Sequence, residues 1–183
     1  MTVVLMLFKK VFTFIISFRI FISVNFNKKG AKIMVEIKKI LFPVDLTDNC
    51  TKILPYVLSM AEKYGSQICL LHVVEDIARW GIGYMPHPSM KSLQEEAQTA
   101  AEKALDKLCN QDMQSCPNFK RVLVSGDPAT EILKAVDKEE IDLIIMGTHG
   151  RKGLEHTIFG SVAENVVKKS PVPITVVNPH RLK

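Results

Sequence analysis

Residues 146–165, MGTHGRKGLEHTIFGSVAEN, hold the combination of residue types in this chain best suited to holding an anion. Gly147 closes an apolar run, Gly150 follows after two residues, and Gly160-Ser161 follows after nine more, opening a helical pattern. Glycines let backbone N–H groups approach phosphate oxygens with no Cβ in the way, and the first turn of a helix supplies further unpaired N–H groups. The spacing is neither a Walker A loop nor a GxGxxG fingerprint. A simpler account stands beside the phosphate one. Ser161 and Glu164 have the S-x-x-E spacing of a capping box, Gly147 and Gly150 could be turn glycines, and Arg151-Lys152 a solvated pair.

Such a loop needs elements to hold it, and the chain alternates strand and helix from Met34 onward. The continuous apolar runs at 37–45, 67–74, 119–125, 141–147 and 172–178 read as buried strands. Helical spacing follows the first run, with Thr47 or Asp48 as cap and a stop at Tyr64-Gly65. Further helices are expected from about Ser89 to Cys109, after Gly126-Asp127-Pro128, and over 161–169, while glycines and prolines make 75–90 a loop. Apolar strands separated by helices give a parallel sheet covered on both faces, a doubly wound α/β domain. Ligands of such folds sit beyond the carboxyl ends of the strands, which points to the loops after Asp45, Val74, Ser125 and Gly147.

The net charge of +5 belongs to one end of the chain. Residues 1–33 hold six of the 24 basic residues and no acidic one, leaving 18 basic against 19 acidic residues in the remainder. The main domain therefore carries no electrostatic footprint for nucleic acid. Six of the nine phenylalanines also fall within residues 1–26, in an apolar stretch interrupted by Arg19. That stretch is short for a membrane span and lacks a clear signal-cleavage site. We set 1–33 apart as an extension, either upstream of a start at Met34 or disordered, with weak membrane association as the secondary reading, and take 34–183 as the domain. Cys50, Cys69, Cys109 and Cys116 show no CxxC pair, so reduced buried thiols, a cytoplasmic location and no metal site are expected.

Gly147-x2-Gly150-x9-Gly160-Ser161 resembles the nucleotide-binding signature of the universal stress protein family. KKILFPVDLT at 38–47, LLHVVE at 70–75, SGDPATEIL at 125–133, DLIIMGTHGRKGL at 142–154 and GSVAENVVKKSPVPITVV at 160–177 resemble that family in the same order. The resemblance implies a Rossmann-like sheet of strand order 3-2-1-4-5, with Asp45 and Gly147 flanking one crevice. It also implies that Asp45 meets the ribose, that the Val73 backbone reads the adenine edge, and that Pro43 and Val44 wall the base. Gly147, His149, Gly150, Gly160, Ser161 and Val162 would cradle the phosphates, with Met146 beneath and Arg151 or Lys152 near the γ-phosphate. Gly126 and Asp127 resemble the family's G-x-P turn near the base, where Gly126 serves geometry first. As ordinary residues, Pro43, Val44 and Val73 are core, Asp45 closes a turn, and His149 is a surface histidine. TDNC at 47–50 departs from the family's usual Ser-Glu.

These readings lead to an ATP-binding stress-response regulator, at most a slow ATPase. No clustered pair of acids for Mg²⁺ and no base for an attacking water are assigned, so Mg²⁺ would be held by phosphates and waters. No catalytic residue is named. The alternatives are a nucleotide-free dimeric interaction module and, less favoured, an adenylating or phosphoryl-transfer enzyme, whose His-x-Gly-His and PP-loop motifs are missing. A homodimer through strand 172–178 is expected, because that strand would be a sheet edge and family members commonly pair there. The 75–92 segment, with Trp80, Tyr84 and Met85, is the candidate surface for a protein partner.

Overall fold

The computed structural model describes residues 35–76, 88–113, 118–148 and 159–182. Every element below belongs to the unit Glu36–Lys183. The 1–33 extension, Cys116, and Trp80, Tyr84 and Met85 lie outside the described residues. In chain order the elements are β1 (Lys39–Pro43), α1 (Asp48–Tyr64), β2 (Gln67–Glu75), α2 (Pro88–Asp112), β3 (Phe119–Gly126), α3 (Pro128–Lys138), β4 (Leu143–Gly147), α4 (Ser161–Lys169) and β5 (Ile174–Val177).

The strands form one parallel sheet in the order β3-β2-β1-β4-β5. Successive side chains on a strand point to opposite faces, and two cores result. Ile40 and Phe42 of β1, Ile68 and Leu70 of β2, and Leu143 and Ile145 of β4 pack with α1 and α2. Leu41, Cys69, Leu71, Ile144 and Met146 pack with α3 and α4. The division follows from handedness. Right-handed crossovers put α1 and α2 on one face as the chain moves outward from β1, and α3 and α4 on the other as it passes to β4 and β5.

Local signals fix the helix ends. Thr47 is the N-cap of α1, its side chain accepting from the Asn49 N–H, and Gly65 (φ 67°) closes that helix in the left-handed region. Asp127 caps α3, with Pro128 in its first turn. β1 is shorter than the expected 37–45, because Val44 still donates to the Leu71 carbonyl (2.8 Å) but the chain then turns at Leu46, φ 59°. β5 starts later than 172, where Val172 N–H is instead held by Ser170 Oγ at 3.2 Å. Cys50, Cys69 and Cys109 are buried free thiols. Among the described residues no helix is long and apolar enough to cross a membrane.

The two edges of the sheet differ. β3 carries Lys120 and Arg121, which pair with Glu139 and Asp106. β5 reads ITVV, half-buried throughout and without a charge.

Ile144 is fully buried at the centre of the α3/α4 face. Ile144→Ala should cost about 2–5 kcal/mol through lost burial and the cavity left behind. The denaturant midpoint measures this, and a loss below about 1 kcal/mol would mean that the face is loosely packed.

Candidate functional site

The order 3-2-1-4-5 reverses direction between β1 and β4, and crossovers leave these strands toward opposite faces. A crevice therefore opens beyond their carboxyl ends. The pairs Ile40↔Leu143 and Leu41↔Ile144, carried on at the same offset, bring Val44 level with Gly147 and Asp45 with Thr148.

On the β1 side, Pro43 is the last strand residue and Val44 turns its side chain into the α1/α2 core, 6% exposed. Only the backbone of Val44 faces other uses, and its carbonyl meets the buried His72 ring, Nδ1 at 2.7 Å. Asp45 is half-buried, and its Oδ1 accepts from the Thr47 N–H (3.1 Å) and hydroxyl (2.8 Å). Its Oδ2 lies 2.9 Å from the same hydroxyl. The turn-closing role is thus present. A carboxylate has about four lone-pair positions, so these bonds do not exhaust its capacity to accept. Asp45 also lies one turn before α1, whose N-terminus favours negative charge.

Val73 is half-buried on β2 and, by the β1·β2 register, level with Asp45. Gly126 ends the β2·β3 ladder opposite Glu75, two strands from β1. Its φ of 152°, together with Glu131 Cγ only 2.9 Å from where a Cβ would stand, accounts for the glycine geometrically. Asp127 accepts from Thr130 N–H (3.0 Å) and hydroxyl (2.6 Å), the N-cap role.

On the β4 side, Met146 is 5% exposed within the α3/α4 core and Gly147 ends the strand. The buried Thr148 donates its N–H to Val177 O (2.9 Å) and accepts from Gly160 N–H (2.7 Å). The segment leaving β4 and the segment entering α4 are therefore tied at a neck. His149, Gly150, Arg151 and Lys152 lie outside the described residues.

The capping-box account of Ser161 and Glu164 is corrected. The N-cap of α4 is Gly160, Ser161 is already the first helical residue, and among the described residues no side chain caps this end. Glu164 pairs with Lys168 at 2.5 Å. The first intrahelical bond is Glu164 N–H to Gly160 O, so the amides of Ser161, Val162 and Ala163 have no acceptor within the helix. Gly160 has φ −71° and ψ 160°, extended backbone that any residue adopts. The turn geometry does not require glycine there. What glycine supplies is the missing side chain at a positively polarised helix end.

The structure thus gathers Pro43, the Val44 backbone, Asp45, Val73, Gly147 and the Gly160–Val162 turn at one end of the sheet, with Gly126 outboard. Sequence reasoning passed over His72 and Thr148. A histidine inside the run QICLLHVV is the available signal, because a buried polar group needs a partner. Among the described residues no three His, Cys, Asp or Glu side chains are grouped as a metal ion would require.

The profile of the universal stress protein family matches residues 36–178, and the chain belongs to that family. Universal stress protein MJ0531 of Methanocaldococcus jannaschii is 30% identical over 76% of this chain and 81% of its own length. MJ0577 of the same organism is 32% identical over 76% of this chain and 94% of its own. The solved MJ0577 structure superposes with a TM-score of 0.69 at 30% identity, covering 79% of this chain and 97% of that one. A universal stress protein from Lactobacillus plantarum shares the fold, with a TM-score of 0.69 at 24% identity, covering 79% of this chain and all of that one.

Cys50 lies under the Asp45 turn, its Sγ donating to Thr47 O at 2.9 Å. Burial, and then the Asp45 charge, push its thiol up to about 11, and burial first does the same at Cys69. An unfolded thiol releases its proton near pH 9.0, so between pH 9 and 11 the unfolded state binds fewer protons than the folded one. The stability these thiols contribute is complete below pH 9 and declines as pH rises through that window. The denaturant midpoint of Cys50→Ala should fall less from pH 8 to pH 10.5 than that of the parent. Equal falls would refute a raised Cys50.

Proposed function

We propose that this chain is an ATP-binding universal stress protein, a nucleotide-dependent regulator of the stress response and at most a slow ATPase, acting in the cytoplasm. The observation that carries the reading is the α4 N-terminus: a glycine that its backbone conformation does not require, followed by three amides without helical acceptors. This end fits a phosphate group. Ser161 adds a hydroxyl that the capping box would have occupied. His149, Gly150 and Arg151 complete the cradle in this reading, and Mg²⁺ is carried by the phosphates and waters. Asp45 accepts from the ribose, the Val73 backbone meets the base edge, Pro43 lies against the base, and Met146 supports the floor from its buried position. That the family's fold accepts a nucleotide is recorded for a universal stress protein solved in complex with cAMP, which is 16% identical to this chain.

The test is calorimetric titration of the full chain with ATP, with and without Mg²⁺, alongside Gly160→Val. The β-branched side chain suits the extended backbone of residue 160 but puts methyl groups where phosphate oxygens approach. The variant should lose at least tenfold in affinity, about 1.4 kcal/mol, with a cap penalty near 1 kcal/mol in stability. No binding by the parent under either condition would overturn the ATP assignment in favour of a nucleotide-free interaction module.

The contrast between the sheet edges supports a homodimer through β5, because charge blunts β3 and not β5. Pro173 and Val177 direct their carbonyls to β4, receiving Ile144 and Thr148 N–H, so Val176 by alternation directs its N–H outward. Val176→Pro removes that outward donor and spares the β4 ladder. It should convert a sedimenting dimer to monomer, and an unchanged dimer would place the contact elsewhere.

A further inference from the structure

We infer that His72 is a positioning residue: by donating to the Val44 carbonyl it ends the β1·β2 ladder one bond early and leaves the Val73 amide to face the crevice. The inference rests on the nucleotide reading for its purpose, but its structural half stands on the ladder itself.

The β1·β2 pairs run to Pro43↔Leu71, and Val44 N–H then reaches Leu71 O at 2.8 Å. Leu71 therefore directs its backbone groups toward β1. Val73, two residues on, directs its own N–H and C=O to the same side. One further rung of a parallel ladder would join Val73 N–H to Val44 O. That carbonyl is met instead by His72 Nδ1 at 2.7 Å. A carbonyl oxygen only accepts, so Nδ1 carries the proton, in the neutral Nδ1–H tautomer or in the imidazolium.

The ring is well placed to hold this bond. His72 is 6% exposed and shares the strand face of Ile68 and Leu70, beside the Val44 side chain. With its carbonyl satisfied, Val44 gains little from drawing the ladder onward, and the chain is free to turn at Leu46 (φ 59°) and present Asp45. Beyond the end of β1, Val73 then offers an N–H and a C=O side by side. That pair complements an adenine Watson–Crick edge, N1 accepting and N6 donating, whereas the guanine edge presents these roles reversed. His72 thereby acts on base recognition without touching the base.

Two variants of the full chain test this. His72→Phe keeps a ring of similar size and removes the donor. His72→Asn keeps an N–H at the same bond separation from the backbone. The first readout is hydrogen exchange of the Val73 amide without nucleotide. Exchange should slow in His72→Phe, as Val73 takes over the Val44 carbonyl, and return to the parent rate in His72→Asn. Equal Val73 exchange in the parent and in His72→Phe would overturn the inference whatever the ligand. The second readout is affinity for ATP against inorganic tripolyphosphate, which probes the phosphate cradle alone. His72→Phe should weaken ATP by about tenfold or more, the worth of one well-made hydrogen bond, with tripolyphosphate unchanged and His72→Asn restoring ATP. Equal loss of both ligands, or no rescue by Asn, would mark His72 as merely structural. A parent that fails to bind ATP would overturn the nucleotide reading, while the exchange result still decides the ladder claim.

Discussion

Everything at the candidate site depends on the pairing of β1 with both β2 and β4. The chain moves outward from β1 through β2 to β3 and then returns across the sheet to β4 and β5, so the crossovers on the two sides of β1 run in opposite directions. Because each crossover is right-handed, the helices must divide between the two faces. That division makes two cores out of alternating residues and, among the described residues, leaves no helix over the carboxyl ends of β1 and β4. The crevice is thus a consequence of handedness rather than of any particular side chain. The side chains that bracket it have mostly been spent on the cores: Val44 belongs to one and Met146 to the other. Among the described residues, what remains for chemistry is one carboxylate, a stretch of backbone and a helix end.

The two walls differ in electrical character. On the β1 wall Asp45 presents acceptors, steadied by Thr47 and by the start of α1. On the β4 wall the start of α4 presents donors with no side chain of residue 160 over them. A ligand with a hydroxyl-rich part and an anionic part meets complementary groups in one orientation only. The same crevice would place a reversed ligand's anion against a carboxylate.

Much of this was legible in the sequence. The strands could be found because each is a short apolar run flanked by turn residues, and α1 because Thr47 and Gly65 punctuate it. Strand order did not follow from periodicity, which is blind to which strands pair; it came from the resemblance of the glycine segment and its flanks. The ends of β1 and β5 were overextended because apolar composition continues past the point where the ladder stops. Val44 is as apolar as Leu41, yet the chain is already leaving the sheet. The S-x-x-E spacing misled at α4 because a one-residue shift of the cap, from Ser161 to Gly160, turns a capping hydroxyl into an exposed helical one. His72 escaped notice because a run-based reading averages over a single polar residue, and its importance lies in one hydrogen bond that only coordinates reveal.

The unlike edges of the sheet also set a valence. With Lys120 and Arg121 in ion pairs along the β3 edge and no charge on the β5 edge, the proposed pairing makes β5 the one edge to which another chain adds. A molecule with one such position cannot propagate head to tail. Two copies meeting through it satisfy each other about a twofold axis and stop. In that pairing, growth into open fibres, the hazard of any sheet with two receptive edges, is opposed by the basic residues on the other edge of the sheet.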